Sequence, residues 1–269
     1  MKRENNTGRT GAIRSSLPDP GYDWAYFFDL DGTLVEIADS PEGVSIDFDL
    51  RRLIERLYRS TGGAVALISG RSIEDIDRLF PEMHPPVAGQ HGIERRDHRG
   101  QIFRHAFPSV QLDRLRDRIA KAIAPHSRLL LEDKGLSLAL HYRRAPRLGG
   151  FVHRLMRTLQ VQAGPEYCLQ SGKRVVEVKP AGSNKGYAIG EFMREPPFRG
   201  RTPVFVGDDI TDEYGFETVN RLGGHSVKVG PGPTSARWRL PSVQAVRQWL
   251  EQSLATAYAG NDAGREANS

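Results

Sequence analysis

The chain has 269 residues, 38% of them hydrophobic, and a formal net charge of +5, enough for one large domain or two small ones around a packed core. Lysines and arginines are scattered rather than gathered into a basic block interleaved with aromatics, which excludes nucleic acid as an expected partner and suits a small anionic ligand. One cysteine, Cys168, excludes an internal disulfide and a cysteine zinc cluster, and no stretch approaches the roughly 18 apolar residues of a membrane span.

From the N-terminus, residues 1–20 lack the apolar region of a secretory signal and read as a disordered lead, with a cytoplasmic location expected. Residues 24–28 read as a strand, closed by Asp29 and Asp31 two positions apart and then Gly32-Thr33. One reading is a strand ending in a turn. The other takes the spacing literally: on a strand both carboxylates share a face, and they repel unless a cation or a proton sits between them. A helix follows, with Leu50, Leu53, Ile54, Leu57 and Tyr58 on one face; then the apolar run 64–68, ending at Ser69-Gly70-Arg71; then a short helix over 72–80.

The middle of the chain behaves differently. Helical spacing at Leu112, Leu115, Ile119 and Ile123 precedes strand alternation at Leu136, Leu138 and Leu140. A second helix at Leu148, Val152, Leu155 and Leu159 precedes a hairpin expected to turn at Ser171-Gly172. This α-β-β-α-β-β order predicts an inserted α+β module with an antiparallel sheet. Beyond it come Lys185-Gly186, a buried strand ending in Gly207-Asp208-Asp209 with Asp212 and Glu213 close behind, the strand 225–230, a helix around 242–256 and a disordered tail over 259–269.

Apolar strands alternating with amphipathic helices predict an α/β fold, a Rossmann-like, mainly parallel sheet covered on both faces, with ligands bound outside the carboxyl ends of the strands. Each polar piece has an ordinary reading: Ser69-Gly70 as a helix cap, Lys185 as a solvated lysine, the acids after Gly207 as a helix start. Together, at strand ends, they supply what phosphoryl transfer needs. A carboxylate can attack phosphorus, hard oxygen ligands can hold Mg²⁺, and a hydroxyl and an ammonium can hold phosphate oxygens.

In combination, "DLDGT", the serine, the lysine and "GDD" resemble the four motifs of the haloacid dehalogenase superfamily. "SGRS", "GQHGIE", "EDKGLSLALHYRRAP", "VVEVKPAGSNKGYAI" and "VFVGDDITDE" narrow the resemblance, over about residues 24–230, to its trehalose-6-phosphate phosphatase family. The resemblance implies a haloacid-dehalogenase core over 21–106 and 180–258 and a specificity cap over 107–179. It implies Asp29 as nucleophile and Mg²⁺ ligand, Asp31 as general acid/base and, through its backbone carbonyl, a ligand, and Asp208 as the acidic ligand from the fourth motif. Asp209 and Asp212 remain candidates beside it. Ser69 and Lys185 match the phosphate holders; Glu132, Lys134 and Glu177 match contacts to the distal sugar; Gln90, His91 and Gly92 match a stretch at the rim between core and cap. Glu132 and Lys134 also read as an exposed ion pair on a strand edge. Leu30 stands where many relatives carry tyrosine, pointing away from the aspartates. The implied partner is a sugar phosphate, with trehalose-6-phosphate synthase as a functional neighbour and a monomer favoured. Another sugar phosphate, such as sucrose phosphate, or a silent sensor remain as alternatives.

Overall fold

A computed structural model describes residues 17–18, 21, 23–38, 43–104, 109–252 and 254. The elements form two sheets. The larger has eight strands, ordered β12-β11-β10-β1-β2-β3-β4-β5. They are β1 (Trp24–Phe28), β2 (Val65–Ile68), β3 (Val87–Gly89), β4 (Glu94–Arg96), β5 (Ile102–Arg104), β10 (Thr202–Gly207), β11 (His225–Val229) and β12 (Trp238–Leu240). From β12 to β3 the neighbours pair parallel, and β4 and β5 add an antiparallel margin.

β1 is central and buried on both faces, as a continuous apolar run requires. Its alternation divides the core. Trp24, Tyr26 and Phe28 face a cluster completed by α1 (Phe48–Ser60), α2 (Ile73–Leu79) and a C-terminal helix, α7, over residues 243–252. Ala25 and Phe27 face a second cluster completed by α5 (Lys185–Phe192) and α6 (Glu213–Arg221). Leu30 is fully buried in the first cluster, as expected of a side chain turned from the aspartates. Of the lead expected over 1–20, residues 17 and 18 are described, and Leu17 packs against this core rather than hanging free; the tail 259–269 lies outside the described residues.

The smaller sheet is antiparallel, ordered β6-β7-β9-β8: β6 (Leu130–Asp133), β7 (Leu138–His141), β8 (Tyr167–Gly172) and β9 (Val175–Pro180). With α3 (Ser109–Ile123) and α4 (Gly149–Ala163) it reproduces the expected α-β-β-α-β-β order. One face is apolar, with Leu138, Leu140, Val176 and Val178 against Leu112, Leu115, Val152 and Met156. The other carries a polar row across the strands, Glu132 opposite Ala139, Ala139 opposite Glu177, and Glu177 opposite Gln170. The hairpin turn is a correction: Gly172 stays in the ladder opposite Val175, and the chain reverses at Lys173-Arg174, with Arg174 in the left-handed region at φ 64°.

Two contacts fix the loop after β1. Arg247 of α7 donates twice to the Leu34 carbonyl, at 3.1 and 3.0 Å, and pairs with Asp47 at 2.5 Å. Asp47 in turn caps α1 by accepting from the Leu50 amide.

Candidate active site

Parallel register brings three strand ends level. Phe28 lies beside Val206 on one side and Leu67 on the other, so Asp29, Gly207-Asp208 and Ile68-Ser69 emerge together at the carboxyl edge. Asp29 donates its amide to the Val206 carbonyl, which holds it at the point where pairing ends. Two glycines let the acids crowd here. Gly32, at φ +87°, lies so close to Asp208 that a Cβ would sit 2.4 Å from its carboxylate; a Cβ on Gly207 would meet Asp212 at 2.4 Å.

The crowding is chemical. Lys185, the first residue of α5, is buried, and its ammonium donates to Asp29 at 2.7 Å and to Asp212 at 2.6 Å. Asp212 is fully buried, and its second oxygen accepts from the Asp209 amide at 2.8 Å. One carboxylate oxygen from each of Asp29, Asp208 and Asp212 lies within 4.8 Å of the others. Burial pushes the Asp29 carboxyl well above its usual range, and the Asp212 and Asp208 carboxylates push the same way against Lys185. Burial also raises Asp208. Burial alone would lower Lys185, but Asp212 and Asp29 hold it protonated, above its usual range. Three carboxylates therefore face the buried Lys185 ammonium and, at the exposed edge, the Lys173 ammonium 3.0 Å from Asp208: the cluster is still short of positive charge, and its hard oxygen donors fit a divalent cation such as Mg²⁺.

Asp31 leaves this group. Its carboxylate is held in a fork by Arg71, at 2.7 and 2.8 Å. Ser69 is buried, with its hydroxyl accepting from the Arg71 amide at 3.1 Å.

The rim stretch Gln90-His91-Gly92 joins this core to the smaller sheet. Gln90 and His91 both take left-handed backbone, at φ 48° and 57°. Gln90 donates to the Lys134 carbonyl at 2.7 Å, and Lys134 reaches back to the Gly70 carbonyl at 3.1 Å. Glu177 is buried between Ser137, which donates at 2.5 Å, His91 at 3.5 Å and Lys134 at 3.7 Å. Its burial is outweighed by Lys134, His91 and Ser137, which hold the carboxylate well below its usual range. Burial presses the His91 imidazole down to about 4, against the pull of Glu177. Glu132 stands apart, half-buried and bonded to His141 at 2.7 Å. Glu132 and Lys134 thus do not form the exposed strand-edge pair that was the plainer reading.

A family model described as trehalose-phosphatase matches residues 27–244, spanning both sheets. The chain belongs to the trehalose-phosphatase family. It is 46% identical over 237 residues to the trehalose-6-phosphate phosphatase of Escherichia coli K12, covering 88% of this chain and 89% of that one. To the probable trehalose-phosphate phosphatase of Sinorhizobium fredii it is 42% identical, covering 83% and 85%. Among solved structures, the C-terminal domain of the Candida albicans trehalose-6-phosphate phosphatase shares the fold, with TM-score 0.78 and 23% identity over 87% of this chain and 93% of that one.

Within this trehalose-phosphatase chain, four side chains entered the site unannounced by sequence: Arg71 on Asp31, Ser137 on Glu177, Lys173 on Asp208, and Lys228, whose ammonium donates to the Asp208 carbonyl. Arg71 lay inside the Ser69-Gly70-Arg71 piece already singled out, without a role assigned to it, and Ser137 on the polar face of an alternating strand. For Lys173 and Lys228 the sequence carries no signal.

Proposed function

We propose that this chain is a Mg²⁺-dependent phosphatase that converts trehalose 6-phosphate and water into trehalose and inorganic phosphate. The observation that carries the reading is the buried Lys185 ammonium bound to both Asp29 and Asp212, with Asp208 completing an acid group under a polar sheet face. An Asp29 oxygen attacks phosphorus, the bond from phosphorus to the sugar oxygen breaks, and Asp31 gives that oxygen its proton, leaving an aspartyl-phosphate. Water then attacks phosphorus, Asp31 takes its proton, and the bond to Asp29 breaks to release phosphate. Arg71 fixes the carboxyl that moves these protons, while Ser69 and Lys185 hold phosphoryl oxygens. Asp29, Asp208 and Asp212 through their side chains, and Asp31 through its carbonyl, would hold Mg²⁺, whose positive charge faces the phosphoryl group when bound.

Residues 107–179 serve as the cap and 21–106 with 180–258 as the core. Glu177, Lys134 and Glu132 offer acceptors and a donor to sugar hydroxyls, with Gln90, His91 and Gly92 at the rim. Carboxylates left unpaired by a substrate lacking hydroxyls reject it. Coupling to a synthase is supported by a Thermoproteus tenax relative named as a bifunctional trehalose-6-phosphate synthase/phosphatase, 33% identical over 31% of its length.

Phosphate release from trehalose 6-phosphate should exceed that from sucrose 6-phosphate and glucose 6-phosphate, and EDTA should abolish it. A preference for another sugar, or undiminished release in EDTA, overturns the substrate or the metal. Glu177→Gln keeps the Ser137 hydrogen bond but loses the charge. It should lower kcat/KM for trehalose 6-phosphate by roughly 10²-fold and leave a small aryl phosphate within about threefold. Equal losses on both would remove Glu177 from sugar recognition.

A further inference from the structure

The hairpin between β8 and β9 does more than close the small sheet. Its tip lies against the core: a Cβ on Gly172 would sit 3.7 Å from the Asp209 carboxylate, and the Lys173 ammonium reaches Asp208 at 3.0 Å. The tip is held in this pose from behind, since the Arg174 carbonyl accepts from the Tyr142 amide at 2.9 Å. Among the described residues this is the one lysine or arginine ion pair that joins the smaller sheet to the larger. Its acid is no ordinary surface partner. Asp208 is buried down to 9% of its side chain and belongs to the three-acid cluster, whereas Lys173 is 58% exposed and free to swing away. The other contacts across the same gap bind elsewhere: Gln90, Lys134 and the His91–Glu177 pair at the sugar side, Arg143 to the Ala38 carbonyl.

We propose that Lys173 is a positioning residue that competes with the divalent cation for Asp208, so that metal binding and docking of the hairpin tip are linked. This rests on the proposed metal site. Without metal, the lysine supplies part of the positive charge the acid cluster lacks, and draws the tip onto the core. A divalent ion at Asp29, Asp208 and Asp212 satisfies Asp208 more fully and at shorter range, which releases Lys173 and loosens the tip over the mouth of the site. Linkage is reciprocal: whatever affinity the lysine costs the metal, the metal costs the docked tip.

Calorimetric titration with Mg²⁺ tests this without turnover, on the wild type, Lys173→Met and Lys173→Arg. Lys173→Met should bind Mg²⁺ about five- to tenfold more tightly, while Lys173→Arg stays within about twofold of wild type. Hydrogen exchange supplies the reciprocal reading. Mg²⁺ should speed exchange of the 170–176 amides in the wild type; Lys173→Met should exchange fast there already, with no further rise on adding the ion. Equal or weaker Mg²⁺ binding by Lys173→Met overturns the competition, as does slower exchange in the wild type with Mg²⁺. If no protein in the set binds Mg²⁺, the metal reading itself falls and takes this inference with it.

Discussion

Asp29→Asn abolishes turnover and leaves the fold standing. The side chain is buried, accepts from Lys185 at 2.7 Å, and sits where the Thr33 hydroxyl approaches at 3.4 Å. An amide keeps an oxygen for Lys185 and fills the same space. It also removes one of three crowded carboxylates from a place where burial already penalises the charge. Thermal stability of the metal-free variant should therefore match or exceed the wild type. Catalysis has no such substitute, because the amide oxygen is too weak a nucleophile to take up phosphorus. Phosphate release should fall by about 10⁴-fold or more, the scale of losing a nucleophile. A purified, folded variant keeping more than about one hundredth of wild-type activity would assign the attack to another group.

Lys185→Met is the opposite case, damaging both fold and chemistry. The ammonium bonds Asp29 and Asp212 at 2.7 and 2.6 Å, and Asp212 has no exposed surface. Removing one partner of a buried charge group strands the others, at a cost of about 3–5 kcal/mol. Phosphate release should fall by about 10²–10³-fold, the usual loss when one charge-stabilising donor is removed. The two losses are separable. Millimolar Mg²⁺ should raise the melting temperature of the variant by more than it raises that of the wild type, since the ion then supplies the only strong cation facing Asp29 and Asp212. Equal shifts would mean that Lys185 and the metal do not share these acids.

The central strands were legible because burial on both faces leaves an unbroken apolar run, as at Trp24–Phe28. The margin of the large sheet was not. β4 is Glu94-Arg95-Arg96, whose charges are answered only in three dimensions: Glu94 accepts from the Ile73 amide at 2.8 Å, and Arg96 forks onto Asp77 at 2.8 Å. Gly172 attracted the turn prediction, yet glycine is also tolerated in a ladder, and the reversal fell to Arg174 in left-handed backbone. In the site, Asp29, Asp208 and Lys185 could be read because each stands at a strand end or helix start. Arg71 and Asp31 are 40 residues apart, and Lys173 and Asp208 are 35 apart. No local pattern ties such partners together, so their pairing waits on the fold.

The Arg247 clamp on the Leu34 carbonyl spans 213 positions of sequence, and β1 pairs with β10 across nearly as many. The chain must thus be made through Arg247 before this clamp on the loop after Asp29 can close. Closing so wide a span is slow. Truncation upstream of Arg247 removes both donors to the Leu34 carbonyl and the ion pair to Asp47, however complete the remaining sheet.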